Sequence, residues 1–97
     1  MREIYFGEFR LTVIRHIREI EAGSPESHTT EWFLLKYLRR IEKNANPPTI
    51  PGRMENSMRG MIRFYVDQID ERTALGERCR LIYDAYVRTL RESKEDK

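Results

Sequence analysis

Hydrophobic residues recur along most of this chain at steps of three and four, the spacing that gathers them on one face of an α-helix. In the first such run Phe6, Phe9, Val13, Ile17 and Ile20 share a face, and Gly23 follows Ala22 as a stop. The run begins at Arg2 or Gly7. Its early part, Ile4 to Val13, is rich in β-branched and aromatic residues and on that ground alone reads as a strand, but no second strand offers itself elsewhere as a partner. Helix is the favoured reading.

Ser24-Pro25-Glu26 has the order of a cap, a proline at the first helical position and a first-turn acid, with Thr29 or Thr30 as an alternative start. The second helix continues to about Lys43 and carries Leu34, Tyr37, Leu38 and Ile41 on its apolar side. Residues 44–52 then hold three prolines and two asparagines, which neither a helix nor a central strand accommodates. Pro47 and Pro48 favour a semi-rigid, polyproline-like path. A third pattern, Met54 to Glu71, aligns Met54, Met58, Met61, Ile62, Tyr65 and Ile69, opposite Arg59, Arg63, Asp67 and Asp70. A fourth, Ala74 to about Glu92, aligns Leu75, Cys79, Ile82, Tyr83, Tyr86 and Leu90. The phase slips between these two, so a tight turn around Glu71 to Gly76 is expected, with Thr73 as its cap; one long bent helix is the alternative. The tail from Ser93 should fray. The pattern therefore predicts an all-α single domain over residues 1–97, a small helical bundle of about four helices set as two helical hairpins joined by the proline-rich loop.

Composition narrows the class. A chain of 97 residues is near the size at which one core suffices without metal or disulfide, and 39% hydrophobic with 35% charged residues is too apolar for a disordered tail. No stretch approaches the ~20 apolar residues of a spanning helix, and the start of the chain lacks the apolar run of a signal peptide. Cys79 is the only cysteine, which rules out an intramolecular disulfide and suits a cytoplasmic protein. The formal charge of +2 comes from 18 cations and 16 anions spread evenly, so no segment is a basic arm or an acidic tail.

Catalytic chemistry finds little support. The residues three before His16 and His28 are Val13 and Pro25, so the Glu-x-x-His pairs of a carboxylate-bridged metal bundle are missing, and Cys79 falls on a core stripe where a thiol is inert. No cofactor, metal or catalytic residue is expected. The most specific surface feature lies on the second helix, where Lys36, Arg39, Arg40 and Lys43 fall within roughly 100° of one another and Trp32 sits in the middle of that stripe. A cationic stripe with an interleaved aromatic tracks a phosphate backbone and stacks a base, or holds an acidic partner around a Trp anchor. The plainer reading covers Trp32 with the Lys36 stem. Arg53, Arg59 and Arg63 extend the stripe across the proline loop, although Arg63 and Asp67 stand at the spacing of an i,i+4 ion pair. A helix-turn-helix order fits poorly, because too few residues separate Ile50 from Ser57 for a scaffold helix.

Apolar residues off the main stripes, Ile4, Leu11 and Ile14 on the first helix and Phe33 and Leu35 on the second, suggest a dimer interface or docking patch. The three methionines of the third helix suit an adaptable groove as well as a core. The expected function is that of a small intracellular interaction protein without catalysis, an adaptor, regulator or inhibitor. A homodimer with no membrane association, it would bind an acidic protein surface or a nucleic acid through Trp32, Lys36, Arg39, Arg40 and Lys43 with Arg53, Arg59 and Arg63. The alternative is a nucleic-acid-binding regulator. An inhibitor carried by a mobile element fits the same residues.

Overall fold

Four amphipathic stripes on short connections bury themselves best by packing antiparallel against their neighbours. The computed structural model describes residues 6–46 and 49–95 and places them in helices α1 (Gly7–Ala22), α2 (Thr30–Ala45), α3 (Pro51–Gln68) and α4 (Ala74–Glu95). Among the described residues there is no strand, so the residues from Gly7 to Val13 are helical; Ile4 lies outside them. α1 packs on α2 and α4, and α3 packs on the same two helices. Cross-contacts fix the directions: Arg10 near the start of α1 meets Glu42 near the end of α2, and Arg53 at the start of α3 meets Asn44 at the end of α2. Phe9 of α1 likewise meets Tyr86 late in α4. The result is an up-down-up-down bundle 43 × 23 × 19 Å across. The pair α2 and α3, joined by the proline loop, packs as extensively as the first hairpin, so the bundle is a closed ring of helices with α2 as its best-packed member.

The boundaries shift from the sequence reading at four places, one of them the end of α3, which falls at Gln68 and not at Glu71. α2 runs on to Ala45 and α3 begins at Pro51, which shortens the connection to residues 46–50. Proline at the first helical position has no N–H to leave unsatisfied, so Pro51 starts α3 rather than ending a loop. The expected polyproline path at Pro47 and Pro48 lies outside the described residues. The helical backbone of α4 also continues through 93–95, past the point where fraying is expected.

Two helices start on the same device. Thr29 accepts the Trp32 N–H on Oγ1 at 3.3 Å and donates that hydroxyl to the Glu26 carbonyl at 2.7 Å. Thr73 repeats it at α4, accepting from the Gly76 N–H at 3.1 Å and donating to the Asp70 carbonyl at 2.6 Å. The α3–α4 connection is thus a capped turn, not a bend in one long helix. α1 and α3 have no side-chain cap.

The core follows the stripes closely, except that Tyr83, aligned with the α4 stripe, is exposed. All five residues aligned on α1, Phe6, Phe9, Val13, Ile17 and Ile20, are buried, as are Leu34, Leu38 and Ile41 of α2, Met54, Met58 and Met61 of α3, and Cys79, Ile82 and Tyr86 of α4. Phe6, Phe9 and Tyr86 form an aromatic cluster at one end, with ring centroids 5.7–6.2 Å apart. Leu35, expected outside the stripe, is buried too, because α2 is flanked by both α1 and α3 and needs a wider apolar face than a helix with one neighbour.

Candidate functional site

The outer face of the α2–α3 pair carries most of the cations picked out from the sequence. α2 and α3 are held in register by Asn44, whose side-chain amide donates to the Ser57 hydroxyl and, at 3.5 Å, to the Arg53 carbonyl. Toward the other end Tyr37 lies against Gly60, where an added Cβ would come within 3.4 Å of the ring, and Phe64 meets both Tyr37 and Phe33. This seam turns Lys36, Arg40 and Lys43 of α2 and Arg53 and Arg63 of α3 to the solvent side. Among the described residues none of these five cations has a carboxylate partner.

The remaining two arginines of the sequence-derived set are already neutralised. Arg39 turns toward α1 and pairs with Glu21 at 2.6 Å, and Arg59 pairs with Glu55 one turn before it at 3.1 Å. The i,i+4 pair expected between Arg63 and Asp67 does not form, which leaves Arg63 available. The N-terminus of α3 adds its partial positive charge to the same face, since its first turn contains no acidic residue.

Trp32 is half-buried at the start of α2 and is held from several sides. The Lys36 ammonium stands 4.1 Å from the centre of its ring, His28 lies tilted against it at 4.8 Å, and Phe33 meets it edge-on at 5.0 Å. His28 reaches this position from a left-handed backbone conformation at φ 69°, which costs a non-glycine residue about 1 kcal/mol and is offset here by its ring contacts. The Lys36 stem and ammonium therefore cover the indole, as the plainer sequence reading has it.

A second polar cluster, which no sequence motif announces, joins α1 to α4. Arg78 donates to His16 Nδ1 at 2.8 Å and to Glu19 Oε1 at 2.6 Å. Because a guanidinium has only donors, Nδ1 must be the acceptor and the neutral ring carries its proton on Nε2. His16 is only 3% exposed, and its Nε2 is buried without a hydrogen-bond partner among the described residues. Burial first, then the charges of Arg78 and Arg15, push the imidazole below its ordinary pKa, against a smaller upward pull from Glu19. The Arg78 hydrogen bond holds the Glu19 carboxyl below the usual carboxylate range. This cluster is a clamp between helices.

The clamp makes stability pH-dependent with a definite sign. A histidine whose folded pKa lies below its unfolded value of about 6.5 leaves the unfolded chain binding more protons, so stability is complete above that value and is lost as pH falls toward the folded pKa. The urea midpoint should therefore decline as pH drops from 7 toward 5, and His16→Leu should flatten that decline. Equal slopes in both proteins would refute the assignment.

Burial pushes the Cys79 thiol up to about 11. Among the described residues no three His, Cys, Asp or Glu side chains stand together as a metal site, and no helix is long and apolar enough to cross a membrane. Comparison with models of known protein families, with curated proteins and with solved structures returned no match.

Proposed function

We propose that this chain is a small, non-catalytic intracellular interaction protein, an adaptor, regulator or inhibitor, that self-associates and docks the outer α2–α3 face on an acidic protein surface. One observation carries the reading: Lys36, Arg40, Lys43, Arg53 and Arg63 share that face without carboxylate partners, while Arg39 and Arg59 are neutralised. Unpaired cations already in position need not break an ion pair before meeting an anionic partner. Trp32, held by His28 and Phe33, lies at one end of the face and holds the Lys36 ammonium in place there.

An acidic protein is favoured over a nucleic acid by the state of the indole. Base stacking needs an open aromatic face, and here the Lys36 ammonium occupies it at 4.1 Å.

Binding of poly-glutamate and of random-sequence RNA and duplex DNA, measured across salt concentrations, tests the reading. The protein should bind poly-glutamate more tightly than either nucleic acid, with affinity falling as salt rises. Combining Arg40→Glu with Arg63→Glu should weaken that binding by about tenfold, on the order of 1.4 kcal/mol, and leave helicity unchanged. Tighter binding to RNA or DNA with a steep dependence on log salt would establish the nucleic-acid alternative instead. No binding to any of the three at low salt would overturn the role of this face.

A further inference from the structure

We propose that the groove between α3 and α4 seats a second copy of this chain, in an antiparallel two-fold pairing that sets Arg80 of each copy against Asp84 of the other. The inference rests on the self-association in the reading above and gives it a place.

The groove is about 360 Å³ in volume and is walled by Met61, Ile62 and Val66 of α3 and by Tyr83 of α4, with Arg80 and Asp84 as its only charged lining. Val66 at its rim is 70% exposed and Tyr83 is 42% exposed. The apolar surplus that the sequence places on the first two helices is largely absorbed within the fold. Leu35 is buried, Phe33 packs on Trp32 and Phe64, and Ile14 is half-covered, which leaves Leu11 among the described residues of that set. Exposed apolar surface is found instead at the α3–α4 groove, at Val66 and Tyr83.

Charge decides which occupant fits. Arg80 and Asp84 stand one helical turn apart, and neither has an ion-pair partner among the described residues. In a two-fold antiparallel pairing, residues equally spaced on either side of the axis exchange places. An axis passing α4 near Ile82 brings Arg80 against the copy's Asp84 twice over. Glu77 and Arg88, both exposed and without ion-pair partners among the described residues, lie almost symmetrically about the same point and extend the pattern outward. A copy thus supplies both the apolar surface and the complementary charges. The outer α2–α3 face remains free on each copy, so the pair presents two docking faces.

Sedimentation equilibrium from micromolar to millimolar concentration tests this with four proteins: the unaltered chain, Arg80→Asp, Asp84→Arg, and the double variant with both. All substituted positions are exposed, and circular dichroism checks that each protein stays helical. The unaltered chain should dimerise, and each single reversal, which sets like charges together twice, should raise the dissociation constant by at least about tenfold. The double variant should recover the dimer, because it restores opposite charges across the axis. A monomer throughout the range would overturn both this pairing and self-association. A dimer indifferent to all three variants would overturn the pairing alone and move the interface elsewhere. Neither outcome bears on the poly-glutamate measurement, which tests a different face.

Discussion

Replacing Phe9 by alanine is expected to remove about 3–5 kcal/mol of unfolding free energy, the loss typical of a large aromatic taken from a packed core. Phe9 is 2% exposed and joins α1 to α4 through its contacts with Phe6 and Tyr86. α4 packs less extensively on its neighbours than α2 does on its own, so the loss of this ring removes a large share of what holds that end of α4. A domain of this size has only about 5–15 kcal/mol in total, and the variant should be partly unfolded or melt more than ten degrees lower. Urea denaturation followed by circular dichroism measures the change. Leu11→Ala is the control, since Leu11 is 63% exposed and its loss should stay within about 0.5 kcal/mol. A change below about 1 kcal/mol for Phe9→Ala would contradict the packing described for this end of the bundle.

The second large effect has the sign opposite to helix propensity. Glycine to alanine within a helix ordinarily gains about 1 kcal/mol, yet Gly76→Ala should destabilise by roughly 2–3 kcal/mol. A Cβ at Gly76 would lie 2.5 Å from the Asp70 carbonyl oxygen and 2.8 Å from Glu71 Cα. Both are backbone atoms, so no rotamer change relieves the contact. The turn itself must move, although Thr73 ties it to the first turn of α4 through the Gly76 N–H and the Asp70 carbonyl. Gly60→Ala provides the contrast, for its Cβ meets only the Tyr37 ring, at 3.4 Å, and its effect should remain within about 1 kcal/mol. Equal effects at the two glycines would mean that the α3–α4 turn is looser than this geometry requires.

Local features of the fold were legible in the sequence. The α1 stripe needed only its spacing, and Thr73 could be identified as a cap because a cap acts on residues three positions away, whereas Ser24 competed with Thr29 and Thr30 for the start of α2 and only the structure assigns it to Thr29. Pro51 was harder to place. Its neighbours Ile50 and Gly52 and the two prolines before it belong to a loop pattern, and only the following packing shows that it begins α3. Leu35 escaped because a helix wheel assumes one partner, whereas α2 has two.

The site divides along the same line. The set of cations was readable on the helix wheel, but which of them stay available depends on residues distant in sequence, as with Glu21 for Arg39. The Arg78–His16 contact spans 62 positions, and neither residue belongs to a motif. Even the local Arg63–Asp67 spacing misleads, since a surface pair at i,i+4 contributes only about 0.3–0.5 kcal/mol and does not compel its own formation.

The alternation of capped and uncapped helices has a consequence for how this chain tolerates change. α2 and α4 carry their starting points in their own residues, Thr29 and Thr73, and losing such a cap costs about 1 kcal/mol. α3 takes its start from Pro51, whose fixed φ suits the first helical position, and α1 alone begins where packing lets it begin. Three of the four helices therefore have an origin written in their own residues. The spacings from Glu26 to Thr29 and from Asp70 to Thr73 should resist insertions and deletions during evolution, and so should the junction of Phe6 with Gly7, which keeps Phe6 in the aromatic cluster.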